Sequence, residues 1–223
     1  MSATKTGLVL DFGGPILLTP FELASRAERR LGLPAGGLRL TGPFDPAGDP
    51  SWQDVLTGRL GERQYWADRA ADFAALTGRP GGVRELIGAI YRDESEAVMV
   101  RPGASALMAD ARASGIPVGI LTNDLGAFHS QEWIDSLSVI RLADVLVDGS
   151  QAGILKPDPR IYLMMTDKLG VEPADAVFLD DQPVNLAGAA AVGLTAIPVD
   201  VTAPEKAFAR ARELLGLAAA ATG

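Results

Sequence analysis

The chain has 223 residues, enough for one large domain or a core carrying an insertion, and its 48% hydrophobic content is ordinary for a protein with a substantial core. A formal net charge of −8 argues against nucleic-acid binding, which needs a clustered excess of Lys and Arg, but leaves small anionic substrates open. The absence of cysteine excludes disulfides and thiolate metal sites, and the single histidine, His129, argues against a His-based zinc site or a Ser–His triad.

In chain order, the first apolar run is residues 7–11, ending on Asp11 in LVLDFGGPI. Residues 16–100 read as helical, over 21–31, 52–56, 62–76 and 83–99, with a Gly/Pro-rich connector between the first two. Four further apolar runs follow, at 117–122, 143–148, 176–180 and 194–199. They alternate with amphipathic stretches at 103–114, 128–137, 159–169, 184–192 and 204–215. Near-continuous apolarity suits strands covered on both faces, and strand alternating with helix predicts an α/β fold, a doubly wound, mainly parallel Rossmann-like sheet. The expected division is a core of residues 1–15 and 101–223 with a helical cap domain of 16–100. The tail LAAAATG, 217–223, is expected to fray. No apolar run approaches the roughly 20 residues that span a bilayer, and MSATKTG lacks the apolar stretch of a secretory signal. A cytoplasmic protein without a membrane partner is expected.

Several of the runs end in polar residues: Asp11, Thr122-Asn123-Asp124, Asp148 and Asp180-Asp181. In open α/β sheets ligands bind at the carboxyl ends of the strands, so carboxylates dispersed in sequence become one cluster in space. A lone Asp at a strand end commonly caps a turn, and Asp124 fits that role. Two adjacent acids such as Asp180 and Asp181 repel unless a cation sits between them.

Four segments occur in order: LVLDFGGPI with Asp11, GILTND with Thr122 and Asn123, LKPDPRIY with Lys156, and VFLDDQPVN with Asp180 and Asp181. Together they resemble the haloacid dehalogenase superfamily of hydrolases, and the helical insertion resembles its first cap type, between the first and second motifs. The resemblance implies that Asp11 is a nucleophile forming an aspartyl-phosphate. Thr122 and the Asn123 backbone N–H would hold phosphate oxygens, and Lys156 would pair with Asp11 and the phosphate. Asp11, the Gly13 backbone carbonyl, Asp180 and Asp181 would hold Mg²⁺, a cation that favours oxygen ligands. Asn185, four residues after Asp181, would buttress those acids. The substrate would be a small phosphorylated metabolite, with monomer and homodimer both open.

The sequence departs from most phosphatases of the superfamily at Gly13, where they carry a second Asp as general acid. A glycine keeps the backbone carbonyl and loses the proton donor. General acid catalysis contributes about 10²–10⁴-fold, so the loss slows such an enzyme without silencing it and favours leaving groups of low pKa, such as those of sugar 1-phosphates or acyl phosphates. Two alternatives use the same gap: a 2-haloacid dehalogenase, whose halide leaves without a proton, and a binding or regulatory protein of the same fold. Within the cap, Arg59, Tyr65 and Trp66 are candidates for specificity, while the aromatics Trp52 and Trp66 also read as cap core. His129 reads as a surface or core-edge residue on a helix.

Overall fold

The computed structural model describes residues 6–79 and 81–219. Most of the tail expected to fray, residues 220–223, lies outside the described residues. Five strands form one parallel sheet: β1 (Gly7–Leu10), β2 (Val118–Thr122), β3 (Val145–Asp148), β4 (Ala176–Asp180) and β5 (Thr195–Pro198). Their order is β3-β2-β1-β4-β5, which places β1 centrally between β2 and β4. Each lies within or overlaps a predicted apolar run.

Between β1 and β2 the chain forms a helical insert: α1 (Pro20–Leu31), α2 (Pro50–Leu56), α3 (Glu62–Thr77), α4 (Val83–Tyr91) and α5 (Glu96–Met99). The start of α1 is set locally. Thr19 and Glu22 form a reciprocal capping box, Pro20 supplies a preset φ, and Gly32 closes the helix at φ 67°. The single helix expected over 83–99 is instead two, because Asp93 takes φ 61° and the chain turns. That turn is anchored by Glu94, which accepts from Arg26 and Arg30 of α1 at 2.8 and 2.9 Å.

After the insert come α6 (Pro102–Ala113), α7 (Leu125–Phe128), α8 (Gln131–Ser136), α9 (Gly149–Ala152), α10 (Pro159–Leu169), α11 (Pro183–Ala191) and α12 (Glu205–Leu215). The helix expected over 128–137 is also split. His129 is extended, and the Ser130 hydroxyl accepts from the Trp133 N–H to start α8 afresh. Alternate residues of each strand face opposite layers. Leu8, Leu10, Ile120 and Leu179 pack with α6 and α12, whereas Val9, Leu121 and Phe178 pack with α10 and α11. Both faces are therefore dry, which explains why the strands read as continuous apolar runs.

Insert and sheet are joined by two crossings that run side by side. The Leu18 N–H donates to the Met99 carbonyl at 2.7 Å and the Arg101 N–H to the Ile16 carbonyl at 2.9 Å. The buried Arg101 guanidinium clamps both, donating to the Gly14 carbonyl at 2.6 Å and to Glu22 at 2.7 Å. No helix among the described residues is long and apolar enough to cross a membrane.

Candidate active site

Parallel pairing brings the carboxyl ends of β1, β2 and β4 to one edge of the sheet. Asp11, Thr122, Asn123, Lys156 and Asp181 meet there, with Gly13, around a cavity of about 120 Å³ roofed by the insert. Asp11 follows β1 directly, and its N–H donates to the Leu179 carbonyl at 2.8 Å. Its Oδ1 accepts from the Phe12 N–H at 2.7 Å and lies 3.0 Å from Lys156 Nζ. Among the described residues nothing donates to its second oxygen. Thr122 ends β2 with its side chain buried at the cavity wall.

Lys156 arrives on the loop between α9 and α10. Asn123 fixes that loop from below, accepting from the Lys156 N–H at 2.7 Å and donating to its carbonyl at 3.2 Å. The Lys156 side chain is 1% exposed, and Nζ donates to Asp180 Oδ2 at 2.6 Å. Asp180, fully buried, also accepts from the Gln182 N–H at 2.7 Å and from Asn185 Nδ2 at 3.2 Å to each oxygen. Those bonds occupy about all four acceptor positions of a carboxylate, so Asp180 is chiefly the anchor for Lys156. Asn185 buttresses Asp180 from α11.

Asp181 differs from its neighbour. Among the described residues its side chain has no hydrogen-bond donor, and it rests against Gly14, where an added Cβ would come within 2.8 Å of its carboxyl. Gly14 also sits at φ +89°, so glycine is required there on both counts. At Gly13 an added Cβ would meet nothing within 4 Å.

The charges explain what this arrangement can hold. Burial, partly offset by Lys156, pushes the Asp11 carboxyl up to about 7. Burial and then the nearby Asp180 and Asp11 push Asp181 well above the ordinary carboxylate range. Burial works against the Lys156 ammonium, but Asp11 and Asp180 outweigh it and hold the group charged beyond its usual range. One ammonium thus serves three crowded acids, whose oxygens lie within 4.8 Å of one another. An all-oxygen set with surplus negative charge fits a hard divalent cation such as Mg²⁺.

Other candidates fall elsewhere. Arg59 is two-thirds exposed and paired with Asp54, away from the cavity. Tyr65 is fully buried in the insert, with its hydroxyl donating to Asp49 at 2.6 Å. Trp66 lines the cavity, as does Trp52, and both also pack in the aromatic core of the insert. Asp148 is structural, accepting from the Gly126 and Ser150 N–H groups. Asp124 precedes α7 without capping it through its side chain, and pairs instead with Arg63 of α3.

Two further lining residues bear on the chemistry of the cavity. His129 stacks on Trp133 at 3.9 Å and lies edge-on to Tyr91. Glu62, the first residue of α3, points its carboxyl into the cavity, where Trp66 Nε1 donates to Oε1 at 3.2 Å. An acid in a first helical turn reads in sequence as a complement to the helix dipole, which hid Glu62.

Comparison with known proteins bears on the family of the chain. The chain is 30% identical over 213 residues to acyl-CoA dehydrogenase family member 10 of Mus musculus, covering 94% of this chain and 19% of that protein. It is 33% identical over 124 residues to phosphoserine phosphatase of Thermus thermophilus, covering 55% of this chain and 49% of that protein. The chain thus spans half or less of these curated relatives. The solved structure of L-2-haloacid dehalogenase RSc1362 superposes with a TM-score of 0.59 at 20% identity, covering 89% of this chain and 87% of that one, a likeness of fold. The family profile of haloacid dehalogenase-like hydrolases matches residues 23–193, and the chain belongs to that family of hydrolases.

Proposed function

We propose that this hydrolase is a Mg²⁺-dependent phosphatase of a small phosphorylated metabolite, working through an aspartyl-phosphate on Asp11, with the helical insert as its cap. The observation that carries the reading is the division of labour among the acids. Asp180 is spent on Lys156, while Asp181 and one oxygen of Asp11 face the cavity without a donor among the described residues.

In this reading a free oxygen of Asp11 attacks phosphorus, the P–O bond to the leaving group breaks, and water later cleaves the acyl phosphate to restore Asp11. Lys156 and the Thr122 hydroxyl bind the phosphoryl oxygens, with the Asn123 N–H beside them. Asp11, Asp181 and the Gly13 carbonyl would hold Mg²⁺, with Asp180 in its immediate surroundings. Mg²⁺ bound there would supply charge neutralisation for the phosphoryl oxygens. Gly13 offers the leaving group no proton, so the substrate is one whose leaving group departs readily, a sugar 1-phosphate or an acyl phosphate.

A second reading, the 2-haloacid dehalogenase, is favoured by the same Gly13, and such dehalogenases are among the relatives. Halide displacement has no use for a cation, and it would leave the crowding of Asp181 beside Asp11 unrelieved. The test is phosphate release from a panel of esters with and without Mg²⁺, with Asp11→Asn as the blank. Turnover that needs Mg²⁺ and vanishes in Asp11→Asn is expected. Halide release from a 2-haloacid without metal would overturn the proposal.

A further inference from the structure

The cavity has two unlike halves. Against the strand ends it is polar and holds the reacting groups. Beneath the insert it is walled by Phe21, Trp52, Trp66, Tyr91 and Phe128, and the charged group among them is the carboxyl of Glu62, with His129 and Thr19 as neutral polar neighbours. The rings are braced by one another, Phe21 lying 4.7 Å from Trp52 and 5.6 Å from Trp66 between centroids, so the wall is rigid. Trp66 also fixes the Glu62 carboxyl from one turn along α3, leaving Oε2 without a donor among the described residues.

Among the described residues, the cations near the cavity are committed, Arg84 for instance donating to the Gly126 carbonyl at 2.7 Å. Among the described residues lining the cavity, Lys156 is the one formally cationic side chain, and it is enclosed by Asp11 and Asp180. Burial keeps His129 neutral by pushing it down to about 3. Arg63 pairs with Asp124 and is half exposed, and Arg101 is held by Gly14 and Glu22. A carboxylate or second phosphate placed under the insert would meet aromatic rings, Glu62, Asp124 and the neutral His129, and among the described lining residues no cation but the enclosed Lys156.

Resting on the phosphatase reading, we propose that Glu62 is a specificity residue that accepts a hydrogen bond from the leaving group, and that the compartment takes an uncharged or cationic group with an apolar face and rejects anionic ones. The shared chemistry is a donor above an aromatic wall, supplied by a sugar hydroxyl or by an ammonium. A hydroxylated ring suits it through its C–H face, and an ammonium through charge and the rings. Burial, with Asp180 and Asp124 nearby, raises the Glu62 carboxyl, and a donor from the substrate would compensate that burial.

The test measures kcat/KM in Mg²⁺ for glucose 1-phosphate, 2-aminoethyl phosphate, acetyl phosphate and phosphoglycolate, with Glu62→Gln alongside. The natural protein is expected to prefer glucose 1-phosphate or 2-aminoethyl phosphate over phosphoglycolate by about 100-fold or more. Glu62→Gln keeps the acceptor for Trp66 and should narrow that ratio by about 10-fold or more. Narrowing confined to 2-aminoethyl phosphate identifies the donor as ammonium, and narrowing with glucose 1-phosphate identifies a hydroxyl. Phosphoglycolate turned over as well as the others, or a ratio unmoved by Glu62→Gln, overturns the inference while leaving the phosphatase reading standing. No phosphate release from any of the four, acetyl phosphate included, counts against the phosphatase reading. Calorimetric binding of glucose 1-phosphate, 2-aminoethyl phosphate and phosphoglycolate to Asp11→Asn, with and without Glu62→Gln, then decides selectivity by itself. Equal affinities there refute it.

Discussion

Two adjacent glycines in DFGG do opposite things. Gly14 is fixed by geometry, since its positive φ and the Asp181 carboxyl leave no room for a side chain. Gly13 has open space around it and an ordinary φ, so nothing steric keeps an acid out. Gly13→Asp should therefore fold and place a carboxyl beside the leaving group. Rates for aryl phosphates with poor leaving groups should rise by up to about 10²–10⁴-fold, and those with good ones should change little. The plot of log kcat/KM against leaving-group pKa should be steep for the natural protein and flatter for the variant. Equal slopes would refute the idea that Gly13 restricts the substrate. In sequence the two glycines look alike, and only the backbone turn at Gly14 and the approach of Asp181 separate them.

The junction between insert and sheet depends on Arg101 more than on either crossing strand. Its guanidinium satisfies the Gly14 carbonyl and Glu22 at once, and Glu22 also accepts from the Thr19 N–H that begins α1. Arg101→Ala leaves the Gly14 carbonyl without its donor and Glu22 with only the Thr19 N–H and hydroxyl, and should cost about 3 kcal/mol in urea unfolding. Arg101→Lys should recover little, because one ammonium cannot span both acceptors. Full recovery by Lys would reduce the clamp to a charge effect. The strands and long helices were legible because each is specified within its own segment, by apolar runs and by caps such as Thr19, Pro20 and Gly32. The turn at Asp93 was not, since Glu94 is held by Arg26 and Arg30 from 68 and 64 residues away. The site motifs were legible because parallel strands must bring their ends together. Glu62 was not, because which end of α3 overhangs the sheet is decided by the packing of the insert.

Across the molecule, acid titration sets His129 against the raised acids of the cavity, Asp11 first among them. His129, wedged between Tyr91 of α4 and Trp133 of α8, is kept neutral by burial, with Arg84 adding to the effect, so it resists protonation down to about pH 3. The unfolded chain protonates this residue near 6.5. Between those values the unfolded state binds the extra proton, so His129 removes stability as pH falls, by up to about 1.4 kcal/mol per unit. Asp11 acts in the other direction. Its folded value of about 7 exceeds its unfolded value, so between pH 7 and about 4 the folded state binds the extra proton and gains stability on acidification. In chelator, with no divalent cation to hold the acids ionised, Asp181 and Glu62, whose carboxyls are also raised, act with Asp11 against His129, so the natural protein's urea midpoint should not fall from pH 7 to 5. His129→Phe keeps the stack and deletes one side of that balance. Its stability relative to the natural protein should climb steadily as pH drops below 6.5. Parallel curves for the two proteins would mean that His129 titrates in the fold as it does in water.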